Sequence, residues 1–98
     1  MQRVEALRIL REHWPELQQL GVQTIAVFGS VARDEATPGS DVDILIELQP
    51  DLHIGFFKFF RIKEYLEQIL ATEVDLVEKE ALKPQLREGI LREAVRAA

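Results

Sequence analysis

Apolar residues recur along the first twenty positions at intervals of three and four: Val4, Leu7, Leu10, Trp14, Leu17 and Leu20. That spacing gathers side chains on one face of a helix. Pro15 interrupts it, and proline is accommodated best in a first helical turn. Two helices are therefore expected, one over 2–12 and a shorter one over 15–20, with Gly21 as the C-terminal cap. The pattern then changes. "VQTIAVF" at 22–28 is short, rich in β-branched residues and bounded by Gly21 and Gly29, which marks a buried strand. Residues 30–34 fit one helical turn, and "DEATPGS" at 34–40 has the composition of a loop. "DVDILIEL" at 41–48 reads as a second strand that Pro50 helps to end. Helical spacing returns over 55–70 through Phe56, Phe59, Ile62, Leu66 and Ile69, and "TEVDLVE" at 72–78 makes a third strand. A last helix opening at Pro84 presents Leu86, Ile90, Leu91, Ala94 and Val95 as its apolar face.

Alternating helices and strands predict an α/β (α+β) fold, with helices packed on a small mixed sheet of three or four strands. The 98 residues suit a single domain over 1–98, and a hydrophobic content of 47% is enough for a core. Seventeen acidic residues against twelve basic ones give a net charge of −5. Affinity for a long nucleic acid rests on neutralising phosphates with Lys and Arg, so this balance argues against such a partner. A single mononucleotide carried with a metal ion stays compatible with it. The absence of cysteine removes disulfides, zinc thiolates and thiol catalysis. "MQRVEALRILREHW" lacks the apolar segment of a signal peptide, and no apolar run approaches the ~20 residues that span a bilayer. The expectation is a soluble, cytoplasmic protein without a membrane partner.

Candidate chemistry begins with two charges placed inside a strand. Side chains alternate between the faces of a sheet, so Asp41, Asp43, Leu45 and Glu47 share one face and Val42, Ile44, Ile46 and Leu48 the other. The second set is uniformly apolar and is the core face. Asp41 and Asp43 then lie roughly 6.6 Å apart along the strand on the opposite side. A solvated outer face explains such a pair in many antiparallel sheets. Aspartate is nonetheless a poor strand residue. Two carboxylates at this spacing also suit Mg²⁺, which binds through one or two carboxylates plus substrate phosphates. Asp75 in "TEVDLVE" lies opposite Val74 and Leu76. Read alone it is a polar strand residue. If its strand neighbours 41–48, three carboxylates converge, and the third could share a second metal or take a proton from an attacking hydroxyl.

The Gly29-Ser30 turn follows the first strand. Backbone amides at such a turn can receive an anion, and glycine lets a phosphate come close. Neither G-x-x-x-x-G-K-[ST] nor G-x-G-x-x-G occurs. The order is strand, Gly29-Ser30, Arg33, a turn-rich loop, Ser40-Asp41-x-Asp43, then Asp75 on a later strand. That order resembles the signature of the DNA polymerase β-like nucleotidyltransferases. "GSVARDEATPGSDVDILIE" looks very like the minimal nucleotidyltransferase (MNT) family, and the likeness extends through "EVDLVEKEALKPQLREGILREAV". It implies the nucleotidyltransferase fold. By this resemblance Gly29, Ser30 and Ser40 belong to the nucleotide-binding motif, with Gly29 and Ser30 holding the triphosphate of ATP. Asp41 and Asp43 would bind Mg²⁺, two ions with substrate, and Asp75 would be the base or a ligand of the second metal. Arg33 would contact phosphate or brace the loop by pairing with an acid. Asp34 stands where the family often has glycine, a departure that touches a turn rather than the metal ligands.

The resemblance further implies AMP transfer from ATP to a hydroxyl, a tyrosine on a HEPN-type toxin, with this chain as the antitoxin. Larger nucleotidyltransferases add a domain to grip the acceptor, so a partner is expected to supply that surface here. Two other classes fit the same residues: an antitoxin that acts by binding alone, and a nucleotide-sensing regulatory subunit. Four phenylalanines, Phe56, Phe57, Phe59 and Phe60, cannot all face one core. Phe56, Phe59 and Phe60 are assigned to the core and Phe57 to an exposed contact. Trp14 is expected to anchor the first helix, and His13 and His53 to lie at the surface.

Overall fold

The computed structural model describes residues 1–50 and 56–98, with the backbone alone for Phe56. His53 lies outside the described residues. Helix α1 spans Arg3–Glu12 and α2 spans Trp14–Gln19, with Pro15 in the first turn of α2. Gly21 follows with φ +102°, and its amide donates to the Gln18 carbonyl at 3.0 Å, a glycine-terminated helix end. Strand β1 is Val22–Phe28, the single-turn helix α3 is Gly29–Ala32 and β2 is Val42–Leu48. Helix α4 (Phe56–Leu70), β3 (Val74–Glu78), a 3₁₀ turn (Lys79–Ala81), α5 (Pro84–Glu93) and β4 (Val95–Arg96) complete the order.

The sheet runs β3-β2-β1-β4. Strand β1 is antiparallel to both β2 and β4, while β2 and β3 are parallel, so the sheet is mixed as expected. The register of β1 on β2 slips between Val22 and Thr24. Such a bulge adds one residue to a strand. It allows Val22 and Ile25, three apart in sequence, both to be fully buried in one core.

One sheet face carries the main core: Ile25 and Val27 of β1, Val42, Ile44 and Ile46 of β2, and Val74 and Leu76 of β3. Leu7 and Leu10 of α1, Leu17 of α2, and Ile62, Leu66 and Leu70 of α4 pack against it. Trp14 packs partly buried on this cluster, which is the expected anchor. The other face is not simply open. Ala26, Phe28 and Leu45 form a second, smaller core under Ile90 and Ala94, with Val77 and Leu82 beside them. Leu45 shares the face of the aspartates yet is only 6% exposed, because α5 covers that part of the sheet.

Several expectations from periodicity are corrected. Phe60 is 41% exposed rather than core, since it precedes the buried Ile62 by two residues, roughly 200° around the helix. Phe57 is exposed as expected, at 85%. Val4 is exposed in the first turn of α1. Helix α5 buries no residue fully. Leu86 and Leu91 are exposed, Ile90 is partly buried on the second core, and the helix stops at Glu93 so that Val95 belongs to β4. His13 is half-buried, its Nδ1 within 2.9 Å of the Ile9 carbonyl and its ring edge-on to Tyr65.

Candidate active site

Strand directions bring the chemistry to one end of the sheet. Strand β1 ends there at Phe28, while β2 and β3 both begin there. The pairings set Phe28 opposite Asp43, and Asp43 beside Asp75 in parallel register. The condition set by the sequence reading is thus met: Asp75 neighbours Asp43 on the same face. Asp41 lies just before β2 and is exposed.

Asp43 is the hub. Partial burial holds its carboxyl above the usual carboxylate range, and the negative charge of Asp75 adds to the effect. A hydrogen bond with the Asp75 carboxyl, and then the charges of Asp41 and Glu93, push it in the same direction. Four acids from β2, β3 and the end of α5 therefore act on one small region.

The Gly29 turn is fitted against this hub. Gly29 has φ +69°, a left-handed backbone. A Cβ there would overlap the Asp43 carboxylate and come within 2.9 Å of its Cγ. Only glycine allows the backbone and the carboxylate to share that space. Asp34 also has a left-handed φ, +56°. Its carboxylate accepts the Arg3 backbone amide at 2.8 Å and lies 3.7 Å from the Arg3 guanidinium. Asp34 therefore caps α1, which has no side-chain cap from its own Gln2. A position that suits glycine is held by aspartate because the carboxylate has this second task.

Arg33 pairs with two acids, Nε to Glu35 at 3.1 Å and a terminal nitrogen to Glu93 at 2.8 Å. These partners, Glu35 first, hold its guanidinium more firmly charged than usual. Both ion pairs tie Arg33 to acids, one beside it in the loop and one at the end of α5. Ser40 lies in the loop, where its hydroxyl accepts the Thr37 amide at 3.1 Å and bonds the Thr37 hydroxyl at 3.0 Å. Ser30 is half-buried at the turn, and its carbonyl accepts the Glu35 amide.

Glu93 was not singled out in the sequence, where only the apolar positions of the last helix were read. Its carboxylate accepts the Gly29 amide at 2.9 Å and the Arg33 guanidinium at 2.8 Å. No local motif signals a contact made across 64 residues.

A Gly-Ser turn closing one strand, two carboxylates opening its antiparallel neighbour and a third carboxylate in parallel register thus meet at one end of the sheet. The model of the nucleotidyltransferase domain family matches residues 6–97. The protein adenylyltransferase MntA of Thermococcus cleftensis is 46% identical over 90 residues, spanning 89% of this chain and 87% of that one. A solved structure provisionally described as a minimal nucleotidyltransferase superposes with a TM-score of 0.79 at 40% identity, covering 97% and 95% of the two chains. The structure of a tri-AMPylated HEPN toxin of Shewanella oneidensis in complex with its MNT antitoxin matches with a TM-score of 0.66. Its identity of 17%, over 94% of this chain and 71% of that one, is a likeness of fold. The chain belongs to the nucleotidyltransferase domain family, as a minimal nucleotidyltransferase. It is an enzyme of that class. Among the described residues no helix is long and apolar enough to cross a membrane.

Proposed function

We propose that this enzyme transfers AMP from ATP to a tyrosine hydroxyl of a HEPN-type toxin and so serves as its antitoxin. The observation that carries the reading is the parallel register that sets Asp43 beside Asp75, next to a glycine turn fitted against Asp43. The relatives support it: one bears the name protein adenylyltransferase, and a fold neighbour is an MNT antitoxin bound to an AMPylated HEPN toxin. The net charge of −5 favours a protein acceptor over a long nucleic acid.

Asp41, Asp43 and Asp75 are the residues that would hold Mg²⁺. Their oxygen donors are of the type this ion prefers, and the crowding of negative charge on Asp43 is what a divalent cation relieves. Among the described residues no three acidic or histidine side chains are gathered closely enough to hold an ion unaided. Mg²⁺ commonly completes its shell with substrate phosphate oxygens. Bound there, the metal supplies charge neutralisation for the phosphates and for the leaving pyrophosphate.

The chain's own residues do the positioning, which is most of what phosphoryl-type transfer asks of a protein. Ser30 donates its hydroxyl and backbone amide to the phosphates, and the bare Gly29 lets them approach Asp43. Arg33 and Ser40 hold the loop that carries Asp41. The acceptor oxygen attacks the α-phosphorus and forms the new O–P bond. The bond from that phosphorus to the pyrophosphate oxygen breaks, and the hydroxyl proton passes to Asp75.

Incubation with α-labelled ATP, Mg²⁺ and the HEPN-type chain encoded beside it tests the reading. Label should appear on a tyrosine of the partner and vanish in the Asp41→Ala/Asp43→Ala protein. If no label reaches the partner and the double variant still neutralises it, the chain acts by binding and the catalytic reading is wrong.

A further inference from the structure

Glu93 ends α5 and touches the two residues that shape the phosphate turn, although neither lies near it in sequence. One carboxylate oxygen takes the Gly29 amide and the other takes Arg33, which in turn pairs with Glu35. The first amides of a helix have no intrahelical acceptor. At α3 the first of them is therefore spent on Glu93. Gly29 is also the residue whose left-handed backbone lies against the Asp43 carboxylate. A shift of this turn would move the phosphate donors and the space open to Asp43 together.

We propose that Glu93 is a positioning residue for nucleotide binding: by accepting the Gly29 amide it fixes the turn that receives the phosphates. The proposal rests on the nucleotidyl-transfer reading for its substrate, but not on the identity of the acceptor. Glu93 acts through Gly29 and touches no reacting atom. Its charge, which repels a triphosphate, is offset by Arg33. What the site uses is the carbonyl-like acceptor. The opposite assignment, in which the carboxylate blocks the turn and must leave before ATP binds, makes the contrary prediction for affinity.

The test compares wild type with Glu93→Ala, Glu93→Gln and Glu93→Asp, titrated with the non-hydrolysable α,β-methylene ATP in Mg²⁺, with the Gly29 amide followed by NMR. Glu93→Ala should weaken binding at least tenfold and shift the Gly29 amide resonance. Glu93→Gln, which keeps an oxygen acceptor of the same length, should recover at least half of that loss on a logarithmic scale. Glu93→Asp, one methylene short, should not. In label transfer the loss should fall mainly on the KM for ATP. Unchanged or tighter binding by Glu93→Ala would overturn the proposal, and the tighter result would make Glu93 a block. A glutamine variant as weak as alanine would overturn it too, because the Arg33 ion pair would then be the active element. If Glu93→Ala does not fold, the glutamine and aspartate variants decide by the same criteria. Wild type that binds the analogue but labels no partner would sink the proposed function and leave this inference standing.

Discussion

Gly29→Ala is the sharpest perturbation the geometry offers, because one methyl group meets two separate obstacles. The backbone at Gly29 has φ +69°, and a left-handed conformation costs an L-residue about 1–2 kcal/mol. The new Cβ would also overlap the Asp43 carboxylate, with the Asp43 Cγ only 2.9 Å away. Relieving that overlap forces Asp43 off its rotamer, worth about 0.5–1.5 kcal/mol. The sum is a destabilisation of about 1.5–3.5 kcal/mol, read by urea unfolding as a lower midpoint at constant m. Activity should fall further than stability. Misplacing a reacting group by about 1 Å can cost on the order of a hundredfold in rate. Gly89→Ala is the matched control. Nothing lies within 4 Å of a Cβ there, in an exposed position of α5, so the same substitution should stabilise by about 0.5–1 kcal/mol. In an Asp43→Ala background the cost of Gly29→Ala should shrink toward its backbone part. A Gly29→Ala protein as stable and active as wild type would refute the account of this turn.

The other predictions concern charge. Asp43→Asn should abolish label transfer yet stabilise the metal-free protein at neutral pH, since it removes a partly desolvated charge and its repulsion by Asp75. The folded-state pKa of Asp43 is raised above its ordinary 3.8. Its protonated form therefore adds stability that is fully present below about pH 4 and lost as pH rises through the folded pKa. In EDTA, thermal unfolding across pH 4–7 should show the wild type losing stability relative to Asp43→Asn; parallel curves would contradict the assignment. Asp34→Ala loses the cap on Arg3 and keeps the left-handed strain, so it should cost about 1–2 kcal/mol. Asp34→Gly trades the cap for relief of strain and should come out near neutral by the same urea assay.

Where one periodicity dominated, the sequence was readable. Buried β1 and β2, and Ile62 and Leu66 of α4, follow from spacing alone, whereas Leu70 is buried where the spacing pointed to the half-buried Ile69. The aspartates were legible for the opposite reason: two charges in a β-branched run needed an explanation. Strand β4 was not legible, since a two-residue strand carries no period and the helical pattern of α5 ran through it. The face of α5 was misread because it covers a small core of Ala26, Phe28 and Leu45, which Ile90 and Ala94 suffice to close. Gly29 could be marked as a turn, but its fit against Asp43 exists only once the strands pair. Glu93 looked like any solvated helix acid until the fold carried it across the sheet.

The covered second face explains why the acids can be close together and still reachable. Ala26, Phe28 and Leu45 are closed by α5, whereas Asp43 is only partly buried and Asp75 beside it is exposed. The helix stops at Glu93, whose charge already acts on Asp43. From Val95 the chain pairs with Val27 and Ala26, and the Ala97 amide donates to the Ile25 carbonyl at 2.9 Å. Glu93 itself is tied to Gly29 and Arg33. The end of α5 is thus held both by the strand that follows it and by the turn it touches. The short α5 closes the second core over Ala26, Phe28 and Leu45 while leaving Asp75 in the neighbouring row exposed.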